Sequence, residues 1–226
     1  MGGRLEGTGE VDLAGWLSRG WGTIKDDLVA FAVASLVAGL IGLVTCGILA
    51  PALVYCGIAM MAFRKILYGR VEIGNVFDGT KRFVPAILTA LLLLIPYLLI
   101  NVISQGPQMA AQALVPNNQG ALLAAGLWNI VSGVILGALF AGAIFFAFVH
   151  IAARNVGPIE ALQASWEIFR RNVVMFTVTA FVYELISGLG AIACCVGVFV
   201  TAPLVTAAMV HAYIDHFGLQ GVNVDE

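Results

Sequence analysis

Long stretches of this chain carry no charge, and that restricts its fold more than any other feature. Residues 28–63, 83–104 and 121–153 run without one Asp, Glu, Lys or Arg, and 172–214 contains a single charged residue, Glu184. All eleven Lys and Arg residues lie outside these runs, in three clusters. Arg4, Arg19 and Lys25 form the first, Arg64, Lys65, Arg70, Lys81 and Arg82 the second, and Arg154, Arg170 and Arg171 the third. A soluble domain carries about 25% charged residues. Here 11% are charged and 61% hydrophobic, with a mean hydropathy of +0.98. Such a chain takes lipid as its solvent. There each span must satisfy its own backbone polar groups, which predicts an all-α, polytopic membrane protein forming one integral membrane domain over residues 1–226. The net charge of −2, with no basic stripe, excludes nucleic acid as a partner. Glu6, Glu10, Asp12, Asp26 and Asp27 precede the first apolar run, unlike the basic leader of a signal peptide.

Length and charge together set the span count. As one helix, residues 28–63 would reach about 54 Å, nearly twice a hydrocarbon core of about 30 Å. Two helices turning near Thr45, Cys46 and Gly47 fit. Residues 83–104 read as one span with Pro96 as a kink. Residues 121–153 are long enough to divide, but dividing them would place Arg154, Arg170 and Arg171 opposite the other basic residues, against the positive-inside rule. They read as one long helix, with Trp128 near the outer interface. Residues 172–215 form a last hairpin turning within 188–197. Six spans follow, in a plasma (inner) membrane, with both termini cytoplasmic. The longest far-side connection, 105–120, has no charged residue and reads as a loop.

The segment before each odd-numbered span repeats one pattern. Leu13, Trp16, Leu17, Trp21 and Ile24 share a helical face, as do Ile73, Val76, Phe77, Thr80 and Val84, and Ile159, Leu162, Trp166 and Phe169. The opposite faces are polar, which describes amphipathic helices lying in the bilayer interface. The expected fold is therefore three hairpins, each preceded by an interfacial amphipathic helix, in repeat-like units of about 10–70, 71–155 and 156–218. Each unit starts and ends on one side, so the units are parallel rather than inverted.

Residues 157–218 carry Glu160-Ala161-Leu162, Ser165, Arg171-Asn172, a glycine-rich hairpin, Thr201-Ala202-Pro203 and Ala212-Tyr213. This pattern resembles a broad set of uncharacterised prokaryotic six-span integral membrane proteins. They include the membrane domain found beside some glycerophosphodiester phosphodiesterases. The resemblance implies a fold and a prokaryotic plasma membrane. It implies no activity and no catalytic residues, because the phosphodiesterase chemistry belongs to a separate soluble domain.

Among residues that could carry chemistry, Glu184 is the one acid deep inside a span. A charged acid at a span centre costs about 2.5–3.5 kcal/mol, which a proton or a partner must offset. Tyr97, Asn101 and Asn129 lie at comparable depth, and with Glu184 they are the candidate substrate- or ion-binding residues. A carboxyl hydrogen-bonded to Tyr97 or Asn129 for structural reasons is the other reading. His150, His211, Asp215 and His216 gather near the cytoplasmic ends of the fourth and sixth spans. Their spacing is no recognised ligand motif, so interfacial hydrogen bonding is expected rather than a metal. Cys46, Cys194 and Cys195 lie near outer turns, where they either form a disulfide in an oxidising compartment or act, like Cys56, as small packing residues. Gly133 and Gly137, Ser35 and Gly39, and Ala38 and Gly42 are small-xxx-small pairs that pack helices within the chain or between copies.

No nucleophile elbow, Walker loop or Ser/His/Asp set is present. The expectation is a non-enzymatic scaffold, accessory or lipid-organising protein without cofactor, whose partners are membrane lipids and either a membrane protein or further copies of itself. The alternative is a small-solute or ion transporter with Glu184 as its intramembrane site.

Overall fold

The computed structural model describes residues 11–192 and 197–224, which form helices, turns and short connections with no strand among them. Helix α1 (Leu13–Ile24) starts where the Asp12 carboxylate accepts the Gly15 amide at 2.9 Å. A short 3-10 turn, Lys25–Asp27, leads into α2 (Leu28–Val44). The chain reverses through Cys46 and Gly47, both at positive φ, and returns as a π-helical segment, Pro51–Gly57, continuous with α3 (Ile58–Tyr68). A 3-10 segment, Ile73–Arg82, precedes α4 (Phe83–Leu114). Helices α5 (Gln119–Ala143) and α6 (Ala147–Arg154) return, α7 (Pro158–Phe169) follows, and α8 (Val173–Ile192) and α9 (Val198–Phe217) complete the chain. Among the described residues, six helical stretches are long and apolar enough to cross a membrane: Leu13–Val44, Pro51–Tyr68, Ile73–Leu114, Gln119–Arg154, Val173–Ile192 and Val198–Phe217.

Two expectations are corrected. Residues 105–120 are not a loop. Helix α4 runs 32 residues, about 48 Å, and only 115–118 connect it to α5. Gly106 and Pro107 suggest a helix end, because Pro107 has no N–H to bond the carbonyl of Ile103. The Trp128 indole of α5 donates to that carbonyl at 3.0 Å, so the helix continues. The second correction is that 121–153 is not one unbroken helix. It makes a single passage, but its backbone breaks at 144–146, between α5 and α6.

Ser165 of α7 accounts for that break. Its hydroxyl donates to the Ala143 carbonyl at 2.8 Å and accepts the Phe146 amide at 3.1 Å, and the residue is fully buried. Both groups would otherwise be orphans in an apolar interior. Ser165→Ala is therefore expected to lower stability by about 1–2 kcal/mol, read as an earlier thermal transition in nanodiscs. A Ser165→Ala transition matching wild type would show that the hydroxyl is not what supports the break.

Each short helix packs on a returning helix: α1 on α9, the 3-10 segment on the π-helical segment, and α7 on α6. A small residue makes each approach possible. A Cβ on Gly20 would lie 2.8 Å from the Ala208 amide nitrogen, Gly79 sits against Ala52 and Gly57, and Ser165 faces the 144–146 break. The long helices touch in a closed order: α2 to α9, α9 to α8, α8 to α5, α5 to α4, α4 to Pro51–Gly57, and that segment back to α2. The second stretch is the most enclosed. Ile58, Ala59, Met60, Met61, Ala62 and Phe63 are six successive residues no more than 1% exposed.

Charged side chains gather at one end of the bundle and pair there. Lys65 meets Asp27, Arg19 meets Asp215, and Arg64 meets Asp78 at 3.1 Å. The chain after α9 is tied to the same end. Arg64 and Arg82 donate to the carbonyls of Val224 (3.0 Å) and Asn223 (2.7 Å), and the Asn223 amide donates to Ala153 O at 2.7 Å.

Candidate functional site

Glu184 lies eleven residues into α8, about 17 Å from its start and about 12 Å from its end. It is an exposed residue in the wall of an open cavity of about 600 Å³. The cavity is bounded by Pro51–Tyr68, α4, α5 with α6, α8 and α9. Glu184 is the one charged residue among those lining it, and no Lys, Arg or His joins it. Among the described residues its carboxyl has no hydrogen-bond or ion-pair partner.

The other polar groups in the wall are few. They are Tyr55, Tyr97, Tyr183, Ser187 and Thr206. Tyr55 stacks on Phe148 with ring centroids 5.0 Å apart. Tyr183 is only 3% exposed, and its hydroxyl is buried without a hydrogen-bond partner among the described residues. Thr206 spends its hydroxyl on its own helix, donating to Ala202 O at 3.0 Å. The remainder is aliphatic, phenylalanine or Met209, including Phe140, Phe145 and Phe148.

Two irregular stretches of backbone within the candidate spans border this space. Val54 and Tyr55 belong to the π-helical segment, and Ile144 and Phe145 to the break between α5 and α6. Irregular backbone at such depth persists where it is buried in protein or lines a cavity, and π-helical turns concentrate at functional sites.

Toward the basic end the cavity has a floor of packed rings. Phe145 contacts Phe146 (5.0 Å), Phe176 (5.9 Å) and Tyr183 (5.8 Å). Behind them His150 meets the Tyr213 hydroxyl at 3.0 Å, and His216 packs on Trp16 and Phe176. Apart from the half-buried His216 these rings are buried, whereas Tyr55 and Tyr97 in the wall are each 52% exposed.

Of the four residues singled out in the sequence, the structure brings Glu184 and Tyr97 into one cavity. Asn101 and Asn129 are not among the residues that line it. The Asn101 amide donates to Tyr97 O at 2.8 Å and its carbonyl accepts from Gln105, while Asn129 donates to Gln108 at 2.7 Å. Those contacts tie α4 to itself and to α5, one helical turn or more beyond Tyr97. Tyr183, Glu184 and Ser187 form a polar patch visible in the sequence as adjacent and i+3 neighbours in an apolar run. Tyr55 and Thr206 reach the cavity only through tertiary packing.

The histidines take separate partners. His211 bonds Thr23 (2.8 Å), His150 bonds Tyr213, and Asp215 accepts from Trp16 (2.7 Å) and Arg19. Among the described residues no three potential metal ligands converge. Cys46 is exposed and Cys56 buried, both as free thiols. Cys194 and Cys195 lie outside the described residues. Comparison with protein-family models, with curated proteins and with solved structures gives no match.

Proposed function

We propose that the protein binds and moves a small solute or ion through the membrane, with Glu184 as its intramembrane site. The observation that carries this is an unpaired carboxyl midway along a helix long enough to cross a membrane, in the wall of an open cavity. A scaffold has no use for a carboxyl held without a partner at that depth, since its charged form is costly there and a leucine would pack better. The break at 144–146 and the π-helical segment give the walls two places to bend.

On this reading the chain is three hairpins, each with an interfacial helix, and the basic end faces the cytoplasm of a prokaryotic cell. The pairing of charges at one end, the exposure of Trp21 and Trp166 and the packing of α1 on α9 support it. The test is solute flux into proteoliposomes, with wild type against Glu184→Gln. At least a tenfold loss of flux in the variant, with its thermal transition unchanged, is expected. Flux that survives the substitution would remove Glu184 from the mechanism.

One observation favours a second role in association. Helices α4 and α5 pack along each other far beyond the depth of Glu184, and their distal turns expose Met109, Leu114, Leu123 and Leu127 without a charge. A partner protein retained in native mass spectrometry of nanodisc-released protein, and lost on Leu123→Glu, supports that role.

A further inference from the structure

We infer that the cavity takes a lipophilic monovalent organic cation, its charge against Glu184 and its apolar body against the aromatic walls. The inference rests on the reading of the cavity as a solute site and names the class of solute.

Charge sets the sign of the ligand. A carboxylate in an apolar surround needs a counter-charge. The lining supplies no Lys, Arg or His, so whenever the carboxyl is ionised the counter-charge arrives with the ligand. An anion would meet the one charge in the wall with no donor cluster to offset it.

The lining chemistry sets the kind of cation. Hard metal ions surround themselves with about six or more oxygen ligands. Here there is one carboxyl, one serine and three tyrosines, set among aliphatic and phenyl groups, and the threonine hydroxyl is already committed. Such a wall replaces the hydration of an alkali ion poorly. It suits a cation whose charge is spread or shielded by carbon. Rings attract such cations through their faces, and Tyr55, Tyr97, Tyr183, Phe140, Phe145 and Phe148 all border the space. A volume of about 600 Å³ is that of a drug-sized organic molecule rather than a bare ion.

The experiment compares two probes of one shape and opposite charge, tetraphenylphosphonium and tetraphenylborate. Equilibrium binding to the full chain in nanodiscs is measured, with empty nanodiscs subtracted for partition into lipid. The expected result is saturable binding of tetraphenylphosphonium to wild type and none of tetraphenylborate. Glu184→Gln should weaken phosphonium binding at least tenfold. Tyr97→Leu should weaken it several-fold, and Tyr97→Phe, which keeps the ring, should not. The Tyr97 pair carries the test if Glu184→Gln does not fold. Equal binding of the two probes, or phosphonium binding indifferent to both residues, overturns the inference. If phosphonium fails to bind while another solute shows Glu184-dependent flux, the ligand class is wrong and the transport reading stands. If phosphonium binds through Glu184 but no solute crosses, the ligand class stands and the transport reading fails.

Discussion

Gly79→Ala is expected to destabilise the protein by about 3 kcal/mol or more, while Gly74→Ala, five residues earlier on the same segment, stays within about 0.5 kcal/mol of wild type. A Cβ on Gly79 would lie 2.7 Å from both the amide nitrogen and the Cα of Gly57, and would also run into the Ala52 carbonyl. These are backbone atoms of the π-helical segment, so no side chain can rotate to make room. Either the Ile73–Arg82 segment lifts away or the π-helical segment shifts. A Cβ on Gly74 meets nothing within 4 Å. Thermal unfolding of both variants in the same nanodiscs decides the matter, and equal transitions would refute the close packing of the two segments. Because Val54 and Tyr55 on the shifted segment line the cavity, Gly79→Ala should also weaken any ligand bound there.

The second large effect is at Asp215. Its carboxylate accepts the Trp16 indole N–H at 2.7 Å and the Arg19 guanidinium through two nitrogens, one of them at 3.0 Å. Trp16 is fully buried, stacked 6.4 Å from Phe176. Asp215→Ala strands that indole N–H without an acceptor and removes the ionic tie between α1 and α9. A loss of about 2–4 kcal/mol is expected, most of it from the stranded indole, because Arg19 is itself partly exposed. Asp215→Asn keeps an acceptor for Trp16 and should cost about 1 kcal/mol. Hydrogen exchange localises the effect: amides of α1 should exchange faster in Asp215→Ala while those of α8 hold. Uniform acceleration across both helices would mean that α1 does not detach on its own.

Pairing also explains what the sequence concealed. His211 and Asp215 share a helix face and invite a joint role, yet the fold gives Asp215 to Trp16 and Arg19, and His211 to Thr23. Those partners lie nearly two hundred positions away in the chain. Pro107 reads as a helix end until Trp128 arrives to bond the carbonyl it releases. The stretch 141–147 is apolar and suited to helix, and only Ser165 reveals why its backbone opens. In each case the decisive hydrogen bond joins elements that no local pattern connects.

The candidate site divides in the same way. Glu184 stands out in the sequence because a lone acid in a long apolar run is expensive wherever the run is placed in lipid. Tyr97 could be placed with it by depth alone, since rise per residue converts position into distance from the helix start. Depth does not say which helices face each other, so Asn101 and Asn129 looked equivalent to Tyr97 although neither lines the cavity.

The sequence alone marked the six candidate spans, because charge and hydropathy act residue by residue and need no partner. It also marked the depth of Glu184. The tertiary structure decided the order of helices around the bundle, the backbone break at 144–146, the close approach of Gly79 to Gly57, and the cavity that leaves Glu184 unpaired. Those features arise from contacts between distant segments, where one missing Cβ or one hydroxyl fixes how closely two backbones can lie.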